Sequence, residues 1–105
     1  MVRNRRASPQ TLLVFEALLD EPDAWQHGYQ LSKRTGLPSG TLYPIVIRLA
    51  DRGLLDSRWE PPEQVGRPAR HAYRLTADGL RAARTEVAAA ARSTTPRTVP
   101  LWETS

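Results

Sequence analysis

The sequence predicts a mainly α, α+β domain in which three helices precede a two-stranded β-hairpin and one further helix follows it. Three observations carry that expectation. Apolar residues recur with helical period in segments punctuated by Ser, Thr, Pro and Gly. An alternating run at 54–60 is joined to a second strand-like run at 69–75 by a Pro- and Gly-rich loop. Thr76 then opens an alanine-rich helical segment.

Residues 1–7 carry Arg3, Arg5 and Arg6 without apolar period and read as a mobile basic arm, placed at 1–8. Ser8 and Pro9 are an N-cap and a first-turn proline, opening a helix that runs to about Asp20. Its Leu12, Leu13, Val14, Phe15, Ala17, Leu18 and Leu19 surround most of the circumference and leave Glu16 and Asp20 as a polar strip. A helix apolar nearly all round must be covered on more than one side. In so short a chain a second subunit is the expected cover, with Leu13 and Leu18 as contacts. Glu21, Pro22 and Asp23 end the helix, and residues 25–28 are expected to be a connector. A short helix at 28–35 points Leu31 inward, and Gly36, Leu37 and Pro38 make a tight turn. Ser39 is expected to cap the next helix, 39–52, with Gly53 just past its end.

In the hairpin, Leu55, Ser57 and Trp59 alternate against Asp56, Arg58 and Glu60. Its second strand sets Arg70, Ala72 and Arg74 against His71, Tyr73 and Leu75, with Tyr73 and Leu75 expected to face the core. The last helix is expected over 77–92, and the Thr, Pro and Ser content from Ser93 onward predicts a disordered tail that includes Trp102. This order is that of a winged helix-turn-helix, with glycine in the turn. The expected organisation is an arm at 1–8, a winged helix-turn-helix at 9–75, a dimerisation helix at 76–92 and a tail at 93–105.

Composition narrows the function. At 105 residues, 40% hydrophobic and 25% charged, the chain is an ordinary soluble domain. With no cysteine it has no disulfide framework, thiolate metal site or thiol nucleophile. His27 and His71 are the only histidines, and neither has a carboxylate at a recognisable motif spacing. An enzyme, a zinc site and a bound cofactor are therefore not expected. No apolar run approaches the roughly 18 residues of a membrane span. The basic N-terminus does not lead into a signal-peptide core, so a cytoplasmic protein with no membrane partner is expected. The net charge of +4 and pI of about 10.3 suit a polyanionic partner. Fourteen of the fifteen basic residues are arginine. Codon usage in a GC-rich genome would produce that skew, and so would use of a planar fork that fits phosphates and guanine edges.

The helix at 39–52 shows what such a surface could do. Leu42, Ile45, Val46 and Leu49 form one inward stripe. Gly40, Pro44, Ile47, Arg48 and Asp51 lie opposite, with Thr41 and Tyr43 on the flanks. An outer face small at its N-terminal end suits entry into a major groove about 12 Å wide. Ser39, Gly40 and Thr41 could offer N–H or hydroxyl groups to a phosphate, and Ile47 could meet a thymine methyl. Other readings stay open: Tyr43 packs against the hairpin, Arg48 is a solvated charge, or Ile47 buries against another subunit. Pro44 removes one helical hydrogen bond, so a distorted first turn or a later helix start is expected. Between Gln64 and Leu75 the wing holds Arg67, Arg70, Arg74 and His71 and no acid, with Arg67 at the tip in reach of a minor groove or a phosphate. A bland basic loop is the alternative.

The segments 27–31 (HGYQL), 40–49 (GTLYPIVIRL), 53–55 (GLL), 66–68 (GRP) and 73–76 (YRLT) together resemble the PadR-like winged-helix transcriptional regulators over about residues 9–90. That family accepts a proline after the tyrosine, which accommodates Pro44. The resemblance implies a homodimeric DNA-binding protein, usually a repressor, with its second motif helix in a major groove and its wing, 61–70, on the adjacent backbone or minor groove. It implies DNA contacts at Ser39, Gly40, Thr41, Tyr43, Arg48, Arg67 and Arg70, with Lys33 on a phosphate. Gly28 and Tyr29 would be structural, the glycine for a close turn and the tyrosine for packing. Longer members carry further C-terminal helices. Here Leu80, Ala83, Val87 and Ala90 are spaced for one helix to pack on its partner's copy and on the N-terminal helix, and few residues remain to line an effector pocket. A small-molecule effector is thus possible without support from the residues. The competing function is a winged helix used for protein–protein contact, which salt-dependent binding to duplex DNA would distinguish.

Overall fold

The computed structural model describes residues 7–62 and 64–98, with side chains described as far as Arg92. In chain order the elements are α1 (Pro9–Asp20), β1 (Gln26–His27), α2 (Gly28–Thr35), α3 (Ser39–Asp51), β2 (Leu55–Glu60), β3 (Arg70–Leu75) and α4 (Ala77–Thr98). The winged helix-turn-helix is therefore present, with one strand more than the sequence predicts. The sheet is antiparallel in the order β1-β3-β2, pairing Gln26 with Tyr73 and Trp59 with His71. Two residues carry no alternation to read, so β1 exists only because β3 offers it a free edge.

Local chemistry sets most boundaries. Ser8 Oγ accepts the Thr11 N–H at 3.1 Å and starts α1 at Pro9. The Ala7 N–H donates to Glu86 Oε1 at 3.1 Å, so the expected arm is already tied down before Ser8; residues 1–6 lie outside the described residues. The expected cap of α3 moves by one. Pro38 is extended and its carbonyl takes the first helical bond, from Leu42 N–H at 2.9 Å, which leaves Ser39 as the first helical residue without a capping side chain. α3 then runs through Pro44 unbroken, so neither a distorted start nor a later one is seen. The helix α4 passes the expected end at Arg92 and continues to Thr98. The alanine run before it favours helix, and no glycine intervenes to stop it. The tail reading is thus corrected for 93–98, and Trp102 lies outside the described residues.

The core is built from Val14, Phe15 and Leu18 of α1, Leu31 of α2, Leu42, Ile45, Val46 and Leu49 of α3, and Leu54, Leu55, Tyr73, Leu75 and Ala83. α1 is covered on one side by α2 and α3 and on another by α4. That is the physical reason for a correction: the second cover of α1 is its own chain. Leu18 is 1% exposed and Ala83 0%, so both are spent inside the protomer, while Leu13 remains 40% exposed. Leu80 and Val87 are half-buried against the same core, and Ala90 is half-buried.

α4 approaches the body unusually closely. Thr76 Oγ1 donates to Gly53 O at 2.7 Å and accepts the Gly79 N–H at 2.9 Å. A Cβ on Gly79 would lie 1.8 Å from the Leu54 carbonyl oxygen, so only glycine lets the first turn of α4 rest on the α3–β2 link.

Candidate nucleic-acid interface

The outer face of α3 and the inner face of the wing confront each other across an open cleft of about 620 Å³. Tyr43, Ile47, Ala50 and Asp51 supply the α3 wall, and Ser57, Trp59, Ala69, Arg70, His71 and Tyr73 the sheet wall, with His27, Gly28 and Tyr29 at one end. β-pleating puts Ser57, Trp59, His71 and Tyr73 on one face. Because Trp59 and His71 are register partners, their rings stack with centroids 4.4 Å apart and planes 8° from parallel. The Tyr73 ring tilts against His71 at 5.1 Å. Burial, then the neighbouring Tyr43, pushes the Tyr73 hydroxyl above its usual phenol range.

Tyr43 is held by α2. A Cβ on Gly28 would sit 2.3 Å from Tyr43 Oη and 2.8 Å from Cζ, so the missing side chain at Gly28 is the seat of the phenol. Gly28 thus serves close packing; its backbone has no positive φ. Tyr29, expected to pack, is 70% exposed instead, with Lys33 Nζ 5.4 Å above its ring.

The root of the wing is pinned to the start of α2. His27 Nε2 lies 2.6 Å from Glu60 Oε1, and the His27 N–H donates to Gln30 Oε1 at 2.8 Å. Arg58 donates to Glu60 Oε2 from Nη2 at 2.7 Å and Nε at 3.0 Å. These hydrogen bonds, Arg58 first and His27 second, hold the Glu60 carboxyl below the ordinary carboxylate range. On the opposite face of the sheet the guanidiniums of Arg58 and Arg74 lie 4.1 and 4.4 Å from the centre of the Trp25 ring. Arg74, one of the wing's basic residues, is therefore engaged away from the cleft.

This geometry, a glycine-seated tyrosine on the second motif helix facing a basic wing, has relatives. The PadR-like family of transcriptional regulators matches residues 17–85. The chain belongs to this family. Curated proteins offer no match to it. Among solved structures, the PcaV transcriptional regulator from Streptomyces coelicolor, in complex with its natural ligand, is similar at a TM-score of 0.74 and 31% identity. That likeness covers 93% of this chain and 65% of PcaV, so the chain spans less than two thirds of that protein's length. A PadR family regulator from Eggerthella lenta DSM 2243 is 32% identical, with 82% of each chain covered and a TM-score of 0.58. A PadR-like regulator from Bacillus cereus strain ATCC 14579 shares the fold at a TM-score of 0.64 and 18% identity, covering 82% of this chain and 84% of that one. These relatives are transcriptional regulators, not enzymes, and among the described residues no helix is long and apolar enough to cross a membrane.

The residues singled out in the PadR-like sequence do not all share one wall. Tyr43, Ile47 and Arg70 line the cleft, and Arg67 joins Arg70 around the wing tip with Pro62, Gln64 and Pro68. Ser39, Gly40 and Pro44 are exposed along the ridge of α3, Thr41 is half-buried, and Lys33 is exposed on α2. Arg48 points to the other flank, into a groove with Thr11, Arg52 and Glu86. Sequence reading missed Trp59 and Tyr29 as cleft residues. Alternation puts Trp59 on the face of Leu55, but the strand outruns the core and leaves the ring 68% exposed. Pairing Trp59 with His71 across the hairpin would have been the available signal.

Proposed function

We propose that this PadR-like chain is a homodimeric, sequence-specific DNA-binding repressor acting on a pseudo-palindromic operator. In this reading α3 enters a major groove by its N-terminal end, with Ser39, Gly40 and Thr41 on phosphates, Tyr43 and Arg48 on the backbone from opposite flanks, and Pro44 and Ile47 toward base edges. Arg67 and Arg70 carry the wing onto the neighbouring backbone or minor groove, and Lys33 meets a phosphate from α2. The observation that carries the reading is the shared cleft, since a duplex can touch the exposed ridge of α3 and the arginine-bearing wing from one side. A small-molecule effector fits the same reading, because the similar PcaV structure holds its natural ligand.

Fluorescence anisotropy with promoter DNA tests it. Affinity should fall steeply with added salt. Arg67→Ala should weaken binding on all sequences and reduce the salt slope by about one phosphate contact, with circular dichroism unchanged. Salt-independent binding, or none, would favour a protein–protein module. The dimer is expected to pair through Leu13 and the face of α4 around Leu80, Val87 and Ala90 left half-open by the core. Sedimentation should give twice the chain mass, and a monomer at micromolar concentration would remove the two-fold operator from the reading.

A further inference from the structure

We propose that the cleft between α3 and the wing is itself a binding site for a planar aromatic cation, and that filling it competes with DNA. The second half rests on the DNA-binding reading; the first half does not.

Four of the large apolar side chains left exposed by the fold, Tyr29, Tyr43, Ile47 and Trp59, line this one cleft. Concentrated exposure of that kind marks a recognition surface rather than a scatter of surface residues. The volume of about 620 Å³ falls in the range of small-molecule sites. Shape selects a flat occupant: Trp59 and His71 already form a parallel two-ring stack, and the open side of Trp59 can extend it. Charge selects the sign. The aromatic rings of Tyr43 and Trp59 carry negative quadrupoles over their faces, and Asp51 adds a carboxylate that forms no ion pair among the described residues. Of the cationic groups, His27 is bound to Glu60, and Arg70 also lines the wing-tip groove with Arg67 and Gln64. The molecule already places cations on aromatic faces, Lys33 on Tyr29 at one end of this cleft and the arginine pair on Trp25 on the opposite face of the sheet. An occupant between Tyr43, Ile47 and Trp59 would stand where the DNA backbone must pass between helix and wing.

Titration calorimetry on the full chain with N-methylquinolinium, 2-naphthoate and 2-naphthylmethanol tests the site. The cation should bind, and the anion and the alcohol should bind roughly fivefold more weakly or not at all. Trp59→Leu and Asp51→Asn should each cost roughly fivefold in cation affinity while circular dichroism and melting stay put. In anisotropy the cation should raise the Kd for duplex DNA with the wild-type chain and need roughly fivefold higher concentration to do so with Asp51→Asn, which separates competition at the protein from binding to the duplex. Equal affinity for all three probes, or undiminished affinity in both variants, overturns the site. Cation binding that leaves duplex affinity unchanged overturns the competition. DNA binding without cation binding removes this site and leaves the proposed function standing; cation binding without DNA binding does the reverse.

Discussion

The two faces of the small sheet treat the same residue type in opposite ways. On one, Trp25 carries the guanidiniums of Arg58 and Arg74 on its ring, and Ala72, set between His27 and Arg58 in the pairing, is completely buried. On the other, Trp59 rests on His71 and turns its free side to an open cleft. A half-buried tryptophan under two guanidiniums ties strands together, because ring and guanidiniums shield one another from water. An open one stabilises little and is left available for recognition. The arginines follow the same division: Arg58 and Arg74 are structural, whereas Arg67 stands exposed at the wing tip.

Substitutions can break this contrast. Trp25→Ala should have the largest effect, a loss of about 2–3 kcal/mol in chemical denaturation, because it opens the buried face beneath the ring. A loss under about 0.5 kcal/mol would mean this packing is decorative. Ala72→Leu should cost about 1–3 kcal/mol by overpacking the same layer. The matching change on the open face, Trp59→Ala, should stay within about 0.5 kcal/mol of wild type, since most of the ring is already in water.

The smallest effect belongs to the wing root. Glu60 titrates below its ordinary value of 4.5, so its hydrogen bonds to Arg58 and His27 contribute stability that is full above that value and lost as pH falls through the folded-state value. Wild type should therefore be the more stable at neutral pH, and the melting temperatures of wild type and Glu60→Gln should converge on acidification. A gap that stays constant from neutral to acid pH would exclude the ionised carboxylate as its cause.

How much of this could be read without the fold depends on the range over which each signal acts. Ser8–Pro9, the Leu42–Leu49 stripe and Thr76 placed α1, α3 and α4 because caps and helical period are local properties of the chain. The Gly-punctuated turn and the Pro-rich loop placed the motif pair and the wing for the same reason. The resemblance in 27–31, 40–49 and 73–76 then held at the level of the family. Partners were less legible. The packing of α4 on α1 is legible in the spacing of Leu80, Ala83 and Val87, but Leu18 and Ala83 are spent inside the protomer and not on a second subunit, because a period says that a face is covered and not by what. Tyr29 was expected inside and lies outside. Trp59 falls on the face of Leu55 by alternation, but alternation does not say that the ring would stack on His71 and stay open.

The sequence by itself determined the order of helices and strands, the inward stripes and the concentration of arginine on the wing, all set by interactions a few residues long. Tertiary structure alone decided that β1 would pair with β3, that Gly28 would seat Tyr43 and Gly79 would admit α4, and that one tryptophan would be half-buried under two arginines while the other stayed open. Those outcomes depend on which surfaces meet across the folded chain, and burial and close contact are settled only there.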